Sequence, residues 1–221
     1  MKPTRTSYSA LTTFEQCPFA YAKYYFEGFK DEAGPAAARG TRLHAAMEKF
    51  LKDELPIERL PIDFWRVKPN IVKLKDKKAI AEEVWLINSR WEYQEVEDES
   101  TIFKSLTDIH LVEDDVLSIY DLKSGRMYDE HSDQLQAYAL AGMVKYPQVT
   151  TVNVSAIYLD QADEGHKRTY TSADFPNLKA LWGIRINNVL TATEYPTKPS
   201  PKACQWCKLK KSLGGPCPEL L

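Results

Sequence analysis

Apolar residues recur along this chain at two spacings. From 41 to 51, Leu43, Ala46, Met47, Phe50 and Leu51 fall three and four apart, which makes one side of a helix apolar. From 83 onward the period shortens. Val84-Trp85-Leu86-Ile87 is a short apolar run, and 103–112 and 116–123 have strand character on either side of Glu113-Asp114-Asp115. Helical spacing returns over 132–146 and stops before Pro147. A strand is expected over 151–159 and a weaker one over 167–170. A long helix capped by Ser172 or Asp174 then reaches about 193. Near the start, Ser7 or Ser9 can cap a short helix through 14. Pro18 is placed to open the next, which carries Tyr21, Tyr24 and Tyr25. Gly34-Pro35 marks a loop, and 56–70, with Pro56, Pro61 and Pro69, reads as connecting structure with short helical pieces. The tail, 195–221, holds five prolines, two adjacent glycines and three cysteines, too little pattern to fold on secondary structure alone. This order of elements reads as α/β, a small mixed β-sheet flanked by helices.

Composition narrows the picture. The chain has 221 residues, 43% hydrophobic and 27% charged, the balance of a globular protein of one or two domains. No run of 18 apolar residues occurs, so no membrane helix is expected, and no secretory signal is read at the N-terminus. With 29 basic and 31 acidic residues, the chain as a whole is not a basic glove for nucleic acid. Phosphate binding must come from local clusters, and there are two: Lys73, Lys75, Lys77, Lys78 and Lys202, Lys208, Lys210, Lys211. A lysine run taken alone is first of all a solvated face. Four cysteines without a secretory signal argue for reduced thiols or metal ligands.

The most informative segment spans 107–125. A two-residue loop at Asp114-Asp115 pairs residue 113 with 116 and sets Asp108 opposite Asp121, with Cβ atoms about 4.5–5.5 Å apart. A bulge would spoil the pairing. Asp121 and Lys123 share a strand face with Leu117 and Ile119, so the carboxylates point toward apolar surroundings. Two such carboxylates repel unless positive charge sits between them. A hard divalent cation, Mg²⁺ or Mn²⁺, together with the Lys123 ammonium supplies it. That set suits phosphodiester hydrolysis, with the ion activating water and the lysine positioning it or stabilising phosphate charge. The bland reading of Asp-x-Lys is an ordinary surface salt bridge.

Asp108 followed by Asp121-Leu122-Lys123-Ser124-Gly125 resembles the core of the PD-(D/E)xK nuclease superfamily, in its RecB-type exonuclease branch. Gly40-Thr41-Arg42-Leu43-His44 is similar to the branch's G-x-x-x-H helix, and Gln134-Leu135-Gln136-Ala137-Tyr138 to its Q-x-x-x-Y helix. Cys17, Cys204, Cys207 and Cys217 bracket the rest, as in iron–sulfur nucleases of the AddB type and of CRISPR adaptation. The resemblance implies a restriction-endonuclease-like core in a single nuclease domain over 1–221. The core spans about 36–194, and 7–30 and 195–221 are joined by the cysteine-ligated cluster. It implies His44, Asp108, Asp121 and the Leu122 carbonyl as metal ligands, and Asp108, Asp121, Lys123, Gln134 and Tyr138 as catalytic or substrate-orienting groups. Glu83 would match an acidic residue on the branch's first strand, with Glu82 competing for the role. His110, on the face of Asp108, is assigned no function. The chain departs from the pattern with Asp121 where many relatives have Glu, Thr107 in place of the proline, and a wider gap between Cys207 and Cys217.

Four thiolates suit either a [4Fe–4S] cluster or a structural tetrahedral Zn²⁺. The resemblance favours the cluster, acting as a staple that closes nearly the whole chain into a loop. Beside it, Trp206 and the C-terminal lysines could line a path for DNA. The expected function is a metal-dependent DNA exonuclease of processing, recombination or repair; the rival is a nuclease-fold DNA-binding accessory protein that no longer cuts. No P-loop motif occurs, so the protein would act alone or with a separate helicase or recombination partner, away from membranes. A cytoplasmic setting in bacterial or phage-infected cells follows from the resemblance alone.

Overall fold

The structure is a computed structural model that describes residues 2–30, 34–128, 130–161 and 165–219; residues 220 and 221 of the expected cluster region lie outside them. Its elements run β1 (Thr6–Ser7), α1 (Tyr8–Gln16), α2 (Pro18–Tyr25), α3 (Pro35–Leu51), α4 (Lys68–Asp76), β2 (Ile80–Asn88), β3 (Tyr93–Gln94), β4 (Thr101–Glu113), β5 (Val116–Lys123), α5 (Glu130–Lys145), β6 (Thr151–Tyr158), β7 (Lys167–Thr171), α6 (Phe175–Leu190) and α7 (Pro201–Cys204).

Local chemistry explains most of the boundaries. The Ser7 hydroxyl accepts from the Ala10 amide and caps α1. Pro18 opens α2 at a position whose N–H would have no partner within the helix. The same logic corrects two expectations. Gly34-Pro35 is not a plain loop: Gly34 caps α3 and Pro35 is its first residue, so the helix starts earlier than 41. The connecting stretch through Pro69 ends in α4, where that proline sits in the first turn and breaks nothing.

The strands form one mixed sheet in the order β3-β2-β4-β5-β6-β7, with β1 parallel to the start of β4. The central hairpin has its expected register: Glu113 faces Val116, Ile109 faces Tyr120, and Asp114 turns the chain at φ 54°. Strands β5 and β6 run parallel and are joined by α5, with Asp121 beside Ala156 and Lys123 beside Tyr158. One face of the sheet buries Trp85, Ile87, Phe103, Leu117 and Ile119 against α1, α5 and α6. The other buries Ile109, Leu111 and Leu122 against Leu43, Met47 and Phe50 of α3 and Ile71 and Leu74 of α4.

Strand β2 changes faces partway. Ala81 belongs to the second core, whereas Trp85 and Ile87, of the same parity, belong to the first. The switch falls at Glu82, whose φ is 52°. A left-handed residue breaks the strict alternation of side chains, at a cost of about 1 kcal/mol or more for a non-glycine.

Helix α5 lies tightly on β5. A Cβ added at Gly142 would stand 2.4 Å from Leu117 Cδ2 and 3.2 Å from Ile119 Cδ1. Gly142→Ala is therefore expected to destabilise the fold by about 1–3 kcal/mol, read from urea unfolding midpoints, although alanine is the better helix former. Among the described residues, no helix is long and apolar enough to cross a membrane.

Candidate active site

The end of β5 carries three consecutive functional groups in different directions. Asp121 and Lys123 point toward α5, and Leu122 packs on the α3 side, leaving its backbone for other use. The Leu122 amide donates to Asp108 Oδ2 (2.7 Å), and the Leu122 carbonyl accepts from His44 Nε2 (3.0 Å). The backbone of one residue thus joins β4, β5 and α3. Arg39 fastens α3 from the same side, donating to the Ser124 carbonyl (2.9 Å) and pairing with Asp63 and Asp160 (both 2.6 Å). Gly40 lets this helix come close: a Cβ there would meet Ser124 Oγ at 3.3 Å. The glycine of G-x-x-x-H therefore serves close approach, and the histidine one turn later reaches the site.

His44 Nδ1 faces Asp108 Oδ1 (3.3 Å) and Glu82 Oε1 (3.4 Å). With oxygen acceptors at both ring nitrogens, the imidazole is held as a cation, its pKa raised to about 10 by Asp108 first and Glu82 second. His44, Glu82 and Asp108 each offer a ligand atom within 4.8 Å of the others. Asp121 is 1% exposed, and burial pushes its carboxyl up to about 6 against the pull of Lys123. Lys123 Nζ stands 2.7 Å from Asp121 Oδ2, yet that oxygen accepts no aligned hydrogen bond. A buried carboxylate oxygen with charge compensation but an unused lone pair is the donor a hard cation takes. His44, Glu82 and Asp108 therefore fit a divalent ion, with the Asp121 carboxyl and the Leu122 carbonyl beside them. For such an ion to bind His44, the imidazolium must lose its proton. At pH 8, Mn²⁺ binding is expected to release about one proton. Calorimetry in two buffers of different ionisation enthalpy measures it; zero release would mean that His44 is not a ligand.

A relay along α5 holds the lysine. Gln134 Oε1 accepts from Lys123 (2.8 Å), Gln134 Nε2 donates to Tyr138 Oη (2.8 Å), and Tyr138 donates to Asp121 Oδ1 (3.3 Å). Burial keeps the Tyr138 phenol well above its ordinary pKa, so it stays a donor.

The structure thus brings together His44, Asp108, Asp121, Lys123, Gln134 and Tyr138 around a cleft of about 950 Å³, with the Leu122 carbonyl bonded to His44. Of the two competing glutamates, Glu82 lies in this group and Glu83 does not. Glu83 turns to the other face, accepting from Trp85 Nε1 (2.5 Å) and standing 3.3 Å from both Lys145 Nζ and His110 Nε2. Sequence spacing carried no signal for this choice, because the left-handed turn at Glu82 decides it. His110 is fully buried in that second cluster, its pKa lowered to about 4 by burial.

The four cysteines come together elsewhere, lining a cavity of about 290 Å³ with Trp206 and Lys202. Burial, then the neighbouring thiols of Cys204, Cys217 and Cys17, raises the pKa of Cys207. The long gap before Cys217 is taken up by a turn. Gly214 adopts φ 77°, the Gly215 amide donates to the Lys210 carbonyl (2.8 Å), and Cys217 donates to Leu209 (2.8 Å). Gly215 lies against the Leu209 backbone, where a Cβ would come within 2.3 Å.

Residues 5–212 match the PD-(D/E)XK nuclease superfamily, and the chain belongs to it. Members are nucleases, which hydrolyse phosphodiester bonds and use divalent metals. The fold is similar to that of a presumed exonuclease from Eubacterium rectale (14% identity, 92% of this chain and 86% of that one, TM-score 0.54). A structure described as SSO0001 is 15% identical over 100% of this chain and 89% of that one, with a TM-score of 0.43. No curated protein matches.

Proposed function

We propose that this nuclease is a Mg²⁺- or Mn²⁺-dependent deoxyribonuclease of the RecB-type branch, cutting DNA exonucleolytically from ends or in single strands. The observation that carries the reading is the convergence of Asp108, Asp121, His44 and the Leu122 carbonyl beside the Lys123 ammonium in one open cleft. A divalent ion, when bound, acidifies water and neutralises a phosphoryl oxygen. The chain's own groups do the rest. Lys123, held by Gln134, offers positive charge to the pentacovalent phosphate. Tyr138 fixes Asp121 by donating to Oδ1, while Oδ2 stands beside the Lys123 ammonium. Tyr138→Phe is expected to lower turnover about tenfold with a smaller effect on KM, measured in steady-state cleavage. The G-x-x-x-H and Q-x-x-x-Y helices and the name of the Eubacterium rectale protein support the exonuclease assignment. The test compares end-labelled linear with circular DNA, with Mg²⁺ or Mn²⁺, for wild type and Asp121→Ala. Loss of linear DNA only, and only by wild type, is the expected result. Equal degradation by both proteins rejects the site, and retained DNA binding without cleavage would favour the accessory reading.

We also infer that Cys17, Cys204, Cys207 and Cys217 hold a [4Fe–4S] cluster that ties 7–30 to 195–219, around a single nuclease domain. The four cysteines line one cavity, and the resemblance of their bracket to that of iron–sulfur nucleases favours the cluster over a tetrahedral Zn²⁺. Anaerobically purified protein should be brown, with a broad visible absorption; colourless protein with stoichiometric zinc would overturn the assignment.

A further inference from the structure

A second groove, of about 720 Å³, lies on the opposite face of the sheet and shares no lining residue with the catalytic cleft. Its wall is α4 and its floor is β5 and β6, with the half-buried Tyr120 and Ile157 lining it from below. Strand β5 serves both sites. Asp121 and Lys123 face the cleft, while Tyr120, one residue earlier, faces the groove.

The lining is cationic and aromatic. Among the described residues that line it, Arg66, Lys73, Lys77 and Lys167 stand against the carboxylate of Glu113, in a chain whose net charge is −2. Lys77 pairs with Glu113 at 2.8 Å, but both side chains are half exposed, so a phosphate can compete for the lysine. Trp65 is 61% exposed at the rim, with the Arg66 guanidinium 5.0 Å from its ring centre. An exposed indole is a stacking surface, and the cation beside it is placed for a phosphate.

The groove also opens where β5 ends. Gln161, in its wall, donates to the Gly125 carbonyl (3.4 Å), two residues past Lys123. Arg66 donates to the Asp160 carbonyl (3.2 Å), and Asp160 is held by the same Arg39 that fastens α3 to Ser124. A chain leaving the catalytic cleft over the end of β5 therefore meets the groove next.

We propose that this groove is a second nucleic-acid site, which holds a single strand extending from the catalytic cleft through phosphate contacts to Lys73, Lys77 and Arg66 and base stacking on Trp65. It rests on the nucleic-acid substrate proposed above. It also gives a function to the lysine run of α4, which the catalytic cleft leaves unused.

The test measures binding on Asp121→Ala protein, so that the strand stays intact, with single-stranded DNA of about 6 and about 30 nucleotides, near the lower end of and well beyond the range of about 4–16 common for single-strand sites. Lys73→Ala with Lys77→Ala is expected to flatten the slope of log K against log salt by about 1.4 for the long strand, at about 0.7 per phosphate contact. Trp65→Ala is expected to weaken long-strand binding about tenfold. In both cases the advantage of the long strand over the short one shrinks. An unchanged slope and affinity, or an equal loss on both lengths, would overturn the groove assignment. Cleavage by wild-type protein is scored separately. A protein that cuts but lacks the length effect, and one that shows the length effect without cutting, thus give different answers.

Discussion

Asp121→Asn is expected to lower phosphodiester hydrolysis by at least about a thousandfold and, in metal-free protein, to raise stability. The two effects have one origin. Asp121 is almost completely buried, next to Asp108, with Lys123, the Tyr138 hydroxyl and the more distant His44 imidazolium to compensate its charge. Burial raises its pKa from 3.8 to about 6. An acid whose folded pKa is raised binds more protons folded than unfolded. Its favourable contribution is complete below pH 3.8 and is lost as pH rises through about 6. Above that, the ionised group costs of order 2–3 kcal/mol relative to a neutral one. The asparagine variant lacks this slope, so its urea midpoint should exceed that of metal-free wild type at pH 7–8 and converge with it near pH 4. Added Mn²⁺ should reverse the order, because an ion that binds only the folded wild-type site stabilises it by mass action. A variant that is less stable than wild type without metal, and still active, would contradict this account of the site.

The second large effect is structural. Cys204→Ser is expected to remove the visible absorption and to lower the thermal midpoint by about 10–20 °C. A link between Cys17 and the tail closes a loop of nearly the whole chain, and closing a loop of that order is worth about 5 kcal/mol in the unfolded state. For a chain of this size each kcal/mol moves the midpoint by about 2–4 °C. Other contacts also cross this junction. Phe19 donates to the Pro196 carbonyl (3.0 Å), Lys198 to that of Glu15 (2.7 Å), and Tyr195 stacks on Tyr21 at 6.0 Å. Arg185 holds Glu15 and Asp133 (2.8 and 2.9 Å), so α1 should stay on the core when the tail is released. Calorimetric scans with cleavage assays below the transition check this. An unchanged midpoint would mean that the cysteines fasten nothing.

The hairpin was legible in the sequence because an even, two-residue loop fixes register and its residues tolerate a left-handed turn. The helices of His44 and of Gln134 and Tyr138 were legible from period and from spacings that bring side chains to one face. Three features were not. The choice of Glu82 over Glu83 rests on a positive φ at a glutamate, which no propensity favours. Helix α4 was obscured by Pro69, because a proline signals a break or a first turn with the same letter. The wide gap before Cys217 closes through Gly214 and Gly215, whose turn brings the thiol back only once the tail is folded. All three depend on contacts distant along the chain.

Anomalous X-ray diffraction from crystals soaked in Mn²⁺ tests the catalytic centre most directly. The expected map has one strong peak within coordination distance of Asp108, Asp121, His44 and the Leu122 carbonyl, with the Lys123 ammonium alongside. A crystal with no peak there, or with manganese bound only at other carboxylates, would contradict it.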